Sequence, residues 1–270
     1  MIEAIQFLIA PFVACTLMMA LFGYLGIHVL KREIIFIDIA LAQIAAVGAA
    51  VAHLFFHAEE HSVLAFVTSF AFTVLAALFY SQVGKRIKQI PHEAIIGVSY
   101  AIAAAASLFL LATAAGGDVH LEHMLTGSIL WADWGEIAEI GMIFGLVGAF
   151  HLYNRKRFIR LSEEMDRSDH HEKSGLWDFL FYVSMGLVIT LSVHIAGVLV
   201  IFSFLIIPAT ISAFYTASWM GRLLVAWGIG ILCILLGLAF SYILDFSSGP
   251  SVVSFLGLAL LITALSGKRV

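Results

Sequence analysis

The sequence predicts an all-α integral membrane protein, a polytopic bundle of about nine transmembrane helices in a single domain covering residues 1–270. The chain is 62% hydrophobic and 12% charged, about half the charged fraction of a soluble domain. Apolar runs of about 20 residues, the length that spans a bilayer, recur along the chain. Its 14 Lys and Arg residues fall into five clusters between those runs. These three observations together indicate the fold class.

The basic clusters set the topology, because Lys and Arg accumulate on the cytoplasmic face of a membrane protein. If all five lie there, each gap between them holds an even number of crossings, and each gap has room for two. One more crossing precedes the first cluster, which gives nine spans, an outer N-terminus and a cytoplasmic C-terminus; eight spans is the alternative. The outer loops then keep acids without Lys or Arg, which attracts cations; the alternative is that they lack Lys and Arg merely because of the topology rule. The clusters are Lys31–Arg32, Lys85–Lys88, Arg155–Lys173, Arg222 and Lys268–Arg269.

Each span is an apolar run between polar connections. The first run has no basic segment before it, so we predict a span that enters from outside rather than a cleavable signal peptide. Backbone polar groups in lipid must be hydrogen-bonded within their own segment, so every run is predicted to be helical. The sixth and seventh spans are separated by a minimal turn near His194–Gly197. The predicted spans are 5–30, 34–56, 62–83, 94–115, 136–154, 178–194, 197–218, 223–244 and 251–266.

Hydrolytic and nucleotide-binding motifs are missing from the sequence. It contains no HExxH zinc-protease pattern, no GxSxG elbow and no Walker A loop. We therefore expect a protein that is not an enzyme, holds no permanent cofactor and has no nucleic-acid partner. A carrier or channel is favoured.

Asp38 and Gln43 lie inside the second predicted span. An acid within a membrane helix is costly, faces the bundle or a cavity, and indicates a functional site by default. A deprotonated Asp38 can ligate a cation in transit, so we predict that both side chains line a metal pathway. The alternative is a structural Asp38 near the inner face, paired with Arg32 or another residue of the basic clusters.

The outer end of the same span carries His53, His57 and His61, spaced four residues apart. On a helix this spacing places the imidazoles on one face, and imidazoles with the neighbouring Glu59 and Glu60 suit zinc and similar divalent ions. We predict that the three histidines belong to the metal pathway. An ordinary interfacial histidine cluster at a helix end has the same pattern.

A second group of acids and histidines falls in the next outer loop. Its density of carboxylates and imidazoles predicts an outer mouth for cations, and a loop of solvated polar residues is the alternative. The group is Asp118, His120, Glu122 and His123.

The longest polar segment, 155–177, mixes charges with large apolar side chains. This mixture predicts a short surface helix, which binds a cytoplasmic partner or lies at the lipid headgroups.

Five segments together resemble the membrane-spanning subunit of the zinc/manganese-type (ABC-3) metal ABC importers. They occur in family order and span nearly the whole chain, and the fourth is the most specific. They are Phe36–Gly48, Glu93–Gly97, Leu125–Leu130 with Asp133, Gly197–Ala209, and Ser241–Asp245 leading to Gly249–Pro250.

The resemblance implies partners that the residues alone do not. Two copies would form the pore as a homodimer, two separate ATP-binding subunits would dock on the inner loops, and a periplasmic or surface protein would deliver the metal. The segment around Leu161 to Gly175 would correspond to the coupling helix that rests on the ATPase. By this resemblance the coupling residues are Leu161, Met165, Leu176 and Trp177.

The second span departs from the family pattern of Gly-Asp, two residues, then Ser-His, whose Asp and His are metal contacts. Aligned on Gly48, the chain has Gln43 at the His, Ala42 at the Ser and Ile39 at the Asp. Asp38 is one residue earlier, a rotation of about 100° on an α-helix. Because a neutral amide is a weaker transition-metal ligand than imidazole, the central site is expected to be altered, to be completed by other residues, or to serve a different ion.

The expected function is therefore ATP-driven import of a divalent transition metal across a bacterial plasma (inner) membrane. Zinc is the first expectation because of the outer histidines, followed by manganese and iron(II). A stand-alone, ion-driven divalent cation carrier is the alternative, and a membrane enzyme or assembly scaffold is the third reading.

Overall fold

The computed structural model describes residues 2–59, 62–87, 89–112, 127, 129–164 and 174–267. In these ranges the regular structure is helical, as predicted, with one short 3₁₀ turn at Ile129–Trp131. The α-helices are α1 Ile2–Lys31, α2 Ile37–Phe56, α3 Val63–Arg86, α4 His92–Ala112, α5 Trp134–Tyr153, α6 Arg155–Glu164, α7 Ser174–Tyr215, α8 Trp219–Leu244 and α9 Ser248–Leu265.

Helix α7 supplies two spans. Its 42 residues would extend about 63 Å as one straight helix, about twice the hydrocarbon thickness of a bilayer. Gly197 interrupts it with φ 75° and ψ 159°, a left-handed backbone that glycine adopts without steric cost. The runs Gly175–Val193 and Ile195–Tyr215 are each long enough to cross. The minimal turn predicted near His194–Gly197 is confirmed.

With α7 divided in this way, the described ranges contain nine helices that are long and apolar enough to span a membrane. Their positions follow the nine predicted spans closely. The short amphipathic α6 fits the surface helix predicted after the fifth span. Which side of the membrane each terminus occupies stays a prediction, as does the single domain.

Polar side chains cap the first turns of α3 and α5 by accepting hydrogen bonds from backbone N–H groups. The Ser62 hydroxyl accepts a hydrogen bond from Ala65 N at 3.2 Å and caps α3. At the start of α5, Asp133 Oδ1 accepts from Glu136 N at 3.0 Å, while Glu136 Oε2 accepts from Asp133 N at 3.3 Å. This reciprocal pair is a capping box, so two acids of the predicted outer face fix a helix terminus.

The chain divides into two compact units. Unit 1 contains Met1–Leu30, His123–Tyr153 and Ser192–Val270. Within it, Gly127 packs directly on the α7 kink: a Cβ atom there would overlap the backbone of Ala196 and Gly197. Two of the five family-like segments therefore meet at this point.

Unit 2 contains Lys31–Glu122 and Asn154–Leu191. Here α2 packs against α3 and α4. The approach of α2 to α3 requires a small residue at Gly48, where a Cβ would lie 2.7 Å from Ser69 Cα. Close backbone packing through small residues is how membrane helices associate, and here it fixes the helix that carries Asp38.

Candidate functional site

Asp38 is buried in the first turn of α2, with 1% of its surface exposed. No side chain in the described ranges donates a hydrogen bond to either carboxylate oxygen. Its polar surroundings are first-turn backbone amides, those of Asp38 and Ile39, where the helix dipole favours negative charge. A buried carboxylate without a cationic partner is costly. This makes Asp38 the strongest candidate in unit 2 for binding a cation.

The alternative pairing of Asp38 with Arg32 is wrong in this structure. Arg32 Nη1 instead forms an ion pair with Asp178 Oδ1 at 3.0 Å. Arg32 is six residues before Asp38, and the chain between them turns through Glu33, whose φ is 53°. The guanidinium is therefore paired with a carboxylate of another helix, α7, and not with Asp38.

Gln43 is also buried, with 7% exposure, on the same helix. Five residues of α-helix correspond to a rotation of about 140°. Asp38 and Gln43 therefore share a helix but not a face. Within one copy, α2 does not direct both side chains at one ion.

The helix predicted to carry His53, His57 and His61 on one face ends before His57. Helix α2 ends at Phe56, and His57 has a left-handed backbone with φ 51°. Ala58 N then bonds back to Ala52 O at 3.3 Å, which closes the helix and stops the i, i+4 pattern. His53 and His57 are both exposed at this end, with His53 Nδ1 3.1 Å from Ala58 O. His61 lies outside the described residues.

The predicted outer mouth cannot be placed. Asp118, His120, Glu122 and His123 all lie outside the described residues. In the part of the chain that the structure describes, no three His, Cys, Asp or Glu side chains form a group that could hold a metal ion.

Unit 2 also contains a buried cluster that we call the Arg32 joint: Arg32, Ser162, Asp178 and Phe181. Besides its ion pair with Asp178, Arg32 donates from Nε to Ser162 Oγ at 2.9 Å. Its guanidinium lies over the Phe181 ring, with Cζ 4.1 Å from the centroid, a cation–π geometry. Three helices therefore meet at one side chain: the end of α1, α6 and the start of α7.

Aromatic packing fixes α6 against α7 beside the Arg32 joint. Phe158 is fully buried, and its ring meets those of Trp177 at 5.7 Å and Phe181 at 6.2 Å. Arg157 Cζ lies 4.7 Å from the centre of the Trp177 ring. The predicted coupling residues thus separate: Trp177 packs here, Leu161 is partly buried beside Ser162, Leu176 is 64% exposed, and Met165 lies outside the described residues.

Three rings join the ends of α3, α4 and α7 in the same unit. The Tyr80 centroid is 6.3 Å from His92 and 6.2 Å from Tyr182, and His92 and Tyr182 are 6.2 Å apart. His92 immediately precedes Glu93, where the second family-like segment begins.

In unit 1, two histidines, His28 and His151, are buried among aromatic rings. The His28 ring centroid lies 4.7 Å from Tyr24 in an edge-on contact and 4.7 Å from Trp219 in a tilted one, and His151 lies 5.6 Å from Tyr24. Both imidazoles are almost fully buried. The side chain of His194 is not among those described.

Sequence reasoning missed Ser162, Asp178 and Phe181 of the Arg32 joint. Asp178 gave a usable signal, because it is an acid placed at the first residue of a predicted span. Ser162 and Phe181 gave none, since a serine in a polar loop and a phenylalanine in a span are ordinary.

The nine spans define the class: a helical, multi-pass membrane protein. The family model of the ABC 3 transport family matches residues 4–267. The chain therefore belongs to the ABC 3 transport family, a family of transporter permease subunits, and it is a bacterial multi-pass membrane protein. The resemblance drawn from the five segments is confirmed.

Individual relatives are distant. A Chlamydia pneumoniae protein described as "Probable metal transport system membrane protein" is 23% identical over 250 residues, covering 92% of this chain and 84% of the relative. The Yersinia pestis "Chelated iron transport system membrane protein YfeD" is 29% identical over 140 residues, covering 50% and 46%. A structure of PsaBC from Streptococcus pneumoniae in complex with Fab has a TM-score of 0.78 at 21% identity, covering 97% and 93%. The structural likeness shows the shared fold.

Proposed function

We propose that this protein is the membrane-spanning subunit of an ABC importer that moves a divalent transition metal into the cytoplasm. The observation that carries the proposal is Asp38, a buried carboxylate without a side-chain partner in the described ranges, inside a span of an ABC 3 family member. The metal ion is the transported substrate, and Asp38 supplies the anionic ligand that it meets within the membrane. The relatives' descriptions as metal or iron transport proteins support this substrate class.

The donor types point to more than one metal. The exposed His53 and His57 at the end of α2 suit zinc, which is why zinc remains the first choice. Asp38 and Gln43 offer oxygen ligands, which are compatible with manganese or iron(II). In this proposal His53 and His57, together with Asp118, His120, Glu122 and His123, bind the ion first. The ion then moves to the oxygen ligands of Asp38 and Gln43.

The energy source in this proposal is a separate ATP-binding subunit that docks on α6. The solvent-exposed face of α6 is basic, and its positive charge suits contact with a cytoplasmic partner. This face carries Arg155, Lys156, Arg157 and Arg160. Two copies of the chain form the pore, and a periplasmic or surface protein delivers the metal. Inward transport agrees with an outer face that keeps acids but not Lys or Arg.

The test is reconstitution of the chain with its ATP-binding and metal-binding partners in proteoliposomes loaded with a metal indicator. We expect ATP-dependent accumulation of one metal when zinc, manganese and iron(II) are supplied in turn. Metal quantification in cells that lack the protein should show a deficit of the same element. Uptake that is indifferent to ATP, by a chain that co-purifies with no ATPase, would establish the stand-alone carrier instead.

A further inference from the structure

Arg32 is the one Lys or Arg that is buried among those whose burial the structure describes, with 4% of its surface exposed. Its contacts fix it in three directions. Nε donates to Ser162 Oγ of α6, Nη1 pairs with Asp178 Oδ1 of α7, and the planar face covers the Phe181 ring. A lysine cannot reproduce this set, because it lacks the rigid fork and the planar face.

Helix α6 has one buried face and one exposed, charged face, so it can contact a partner and the rest of unit 2 at the same time. Phe158 and Ser162, four residues apart and therefore on one face, are fully buried against unit 2. The other face is exposed and charged, at Arg155, Lys156 and Arg160. Contact with a partner on the exposed face is thus separated by one helix thickness from the hydrogen bond between Ser162 and Arg32.

The chain from Arg32 to Asp38 is short and tightly held. Ile34 and Ile37 are both fully buried, and Ile37 N bonds to Ile34 O at 3.1 Å. Glu33, between Arg32 and Ile34, has a left-handed backbone. Because Arg32, Ile34 and Ile37 are all buried around this turn, a displacement of Arg32 is expected to move the first turn of α2, where Asp38 lies.

We propose that Arg32 is a positioning residue for transport: it links α6, through Ser162, to the end of α2 that carries Asp38. The inference rests on the proposed function, since it assigns to α6 the contact with the ATP-binding subunit. When that contact shifts α6, the hydrogen bond at Ser162 carries Arg32 with it, and Asp178 and Phe181 guide the guanidinium along the start of α7. The Asp38 carboxylate then changes position without touching the ATPase.

The experiment measures metal ions transported per ATP hydrolysed by the complete complex in proteoliposomes, using the metal that the wild type transports. The variants are Arg32→Lys and Ser162→Ala, the second of which removes a single hydroxyl. Each has a matched control in unit 1. Arg222→Lys removes another arginine Nε hydrogen bond, to Thr216 O at 3.1 Å, and Ser212→Ala removes a fully buried hydroxyl that bonds within its own helix.

We expect both variants to keep ATP hydrolysis and co-purification with the ATPase, while the metal-to-ATP ratio falls about fivefold or more and the controls stay near the wild-type ratio. The double variant should be no worse than Arg32→Lys, because the two changes break one link. A clamp that only stabilises the fold would lower the yield or Tm and leave the ratio unchanged, and that result would overturn the inference. If Arg32→Lys does not fold, Ser162→Ala alone decides between these outcomes. Absence of ATP-dependent uptake by the wild type would instead remove the proposed function.

Discussion

Arg32 and Asp38 are buried charges of opposite sign in the same unit, six positions apart, yet their surroundings differ. Arg32 has an ion pair, a hydrogen bond to Ser162 and an aromatic face, whereas Asp38 has backbone amides but no side-chain hydrogen-bond partner among the described residues. Desolvating a charge is offset only when partners are well placed. The comparison teaches that burial alone does not mark a ligand: the charge with side-chain partners joins helices, and the charge without a side-chain partner is the one that we propose for the substrate.

The largest expected effect comes from breaking the Arg32–Asp178 pair. Arg32→Met leaves Asp178 buried beside an apolar side chain, and removing one partner of a buried pair costs about 3–5 kcal/mol. The double variant Arg32→Met/Asp178→Leu removes both charges and should recover most of that loss. Thermal unfolding in detergent micelles measures all three proteins. Equal destabilisation by the single and double variants would mean that the pair is not what holds the joint.

Asp38→Asn should have the opposite profile. It removes the carboxylate that we assign to the substrate, so metal uptake should fall about 100-fold, equivalent to about 2.7 kcal/mol. Stability should hold or rise, because a buried charge without a side-chain partner is replaced by a neutral amide. Uptake and Tm are measured on the same preparation. Asp245→Asn is the matched control, since Asp245 is an exposed acid with a left-handed backbone that Asn also tolerates. A strongly destabilised Asp38→Asn with normal uptake would reverse the assignment.

Gln43→Leu should give the smallest effect of the three. Gln43 is a neutral side chain about 140° around α2 from Asp38, so at most one ordinary hydrogen bond of about 1 kcal/mol is lost, or about fivefold in uptake. Initial rates at several metal concentrations measure it. A loss as large as that of Asp38→Asn would show that both side chains contact the metal, for which two copies of α2 would have to contribute.

Most of the fold could be predicted from the sequence, because lipid imposes long apolar helices and the basic clusters count the crossings. The kink at Gly197 was also visible, as a glycine between two apolar runs too long for one span. The candidate site was harder to predict from the sequence. Spacing suggested that His53 and His57 share a helix face, but spacing carries no information about where a helix closes, and α2 closes at Phe56.

The partner of Arg32 was harder still to predict. Asp38 is near in sequence and Asp178 is 146 residues away, so local reasoning favours the wrong acid. The choice depends on how Arg32 and the start of α7 come together in three dimensions, which neither periodicity nor charge counting determines.

The single-residue break at Gly197 also constrains how the protein is made. The spans Gly175–Val193 and Ile195–Tyr215 follow each other directly in α7, and the break at Gly197 stands where a polar loop would otherwise separate them. We therefore expect the two spans to enter the bilayer as a pair during biosynthesis rather than one after the other. A side chain at Gly197 that favoured a straight helix would compete with this pairing before any tertiary contact had formed.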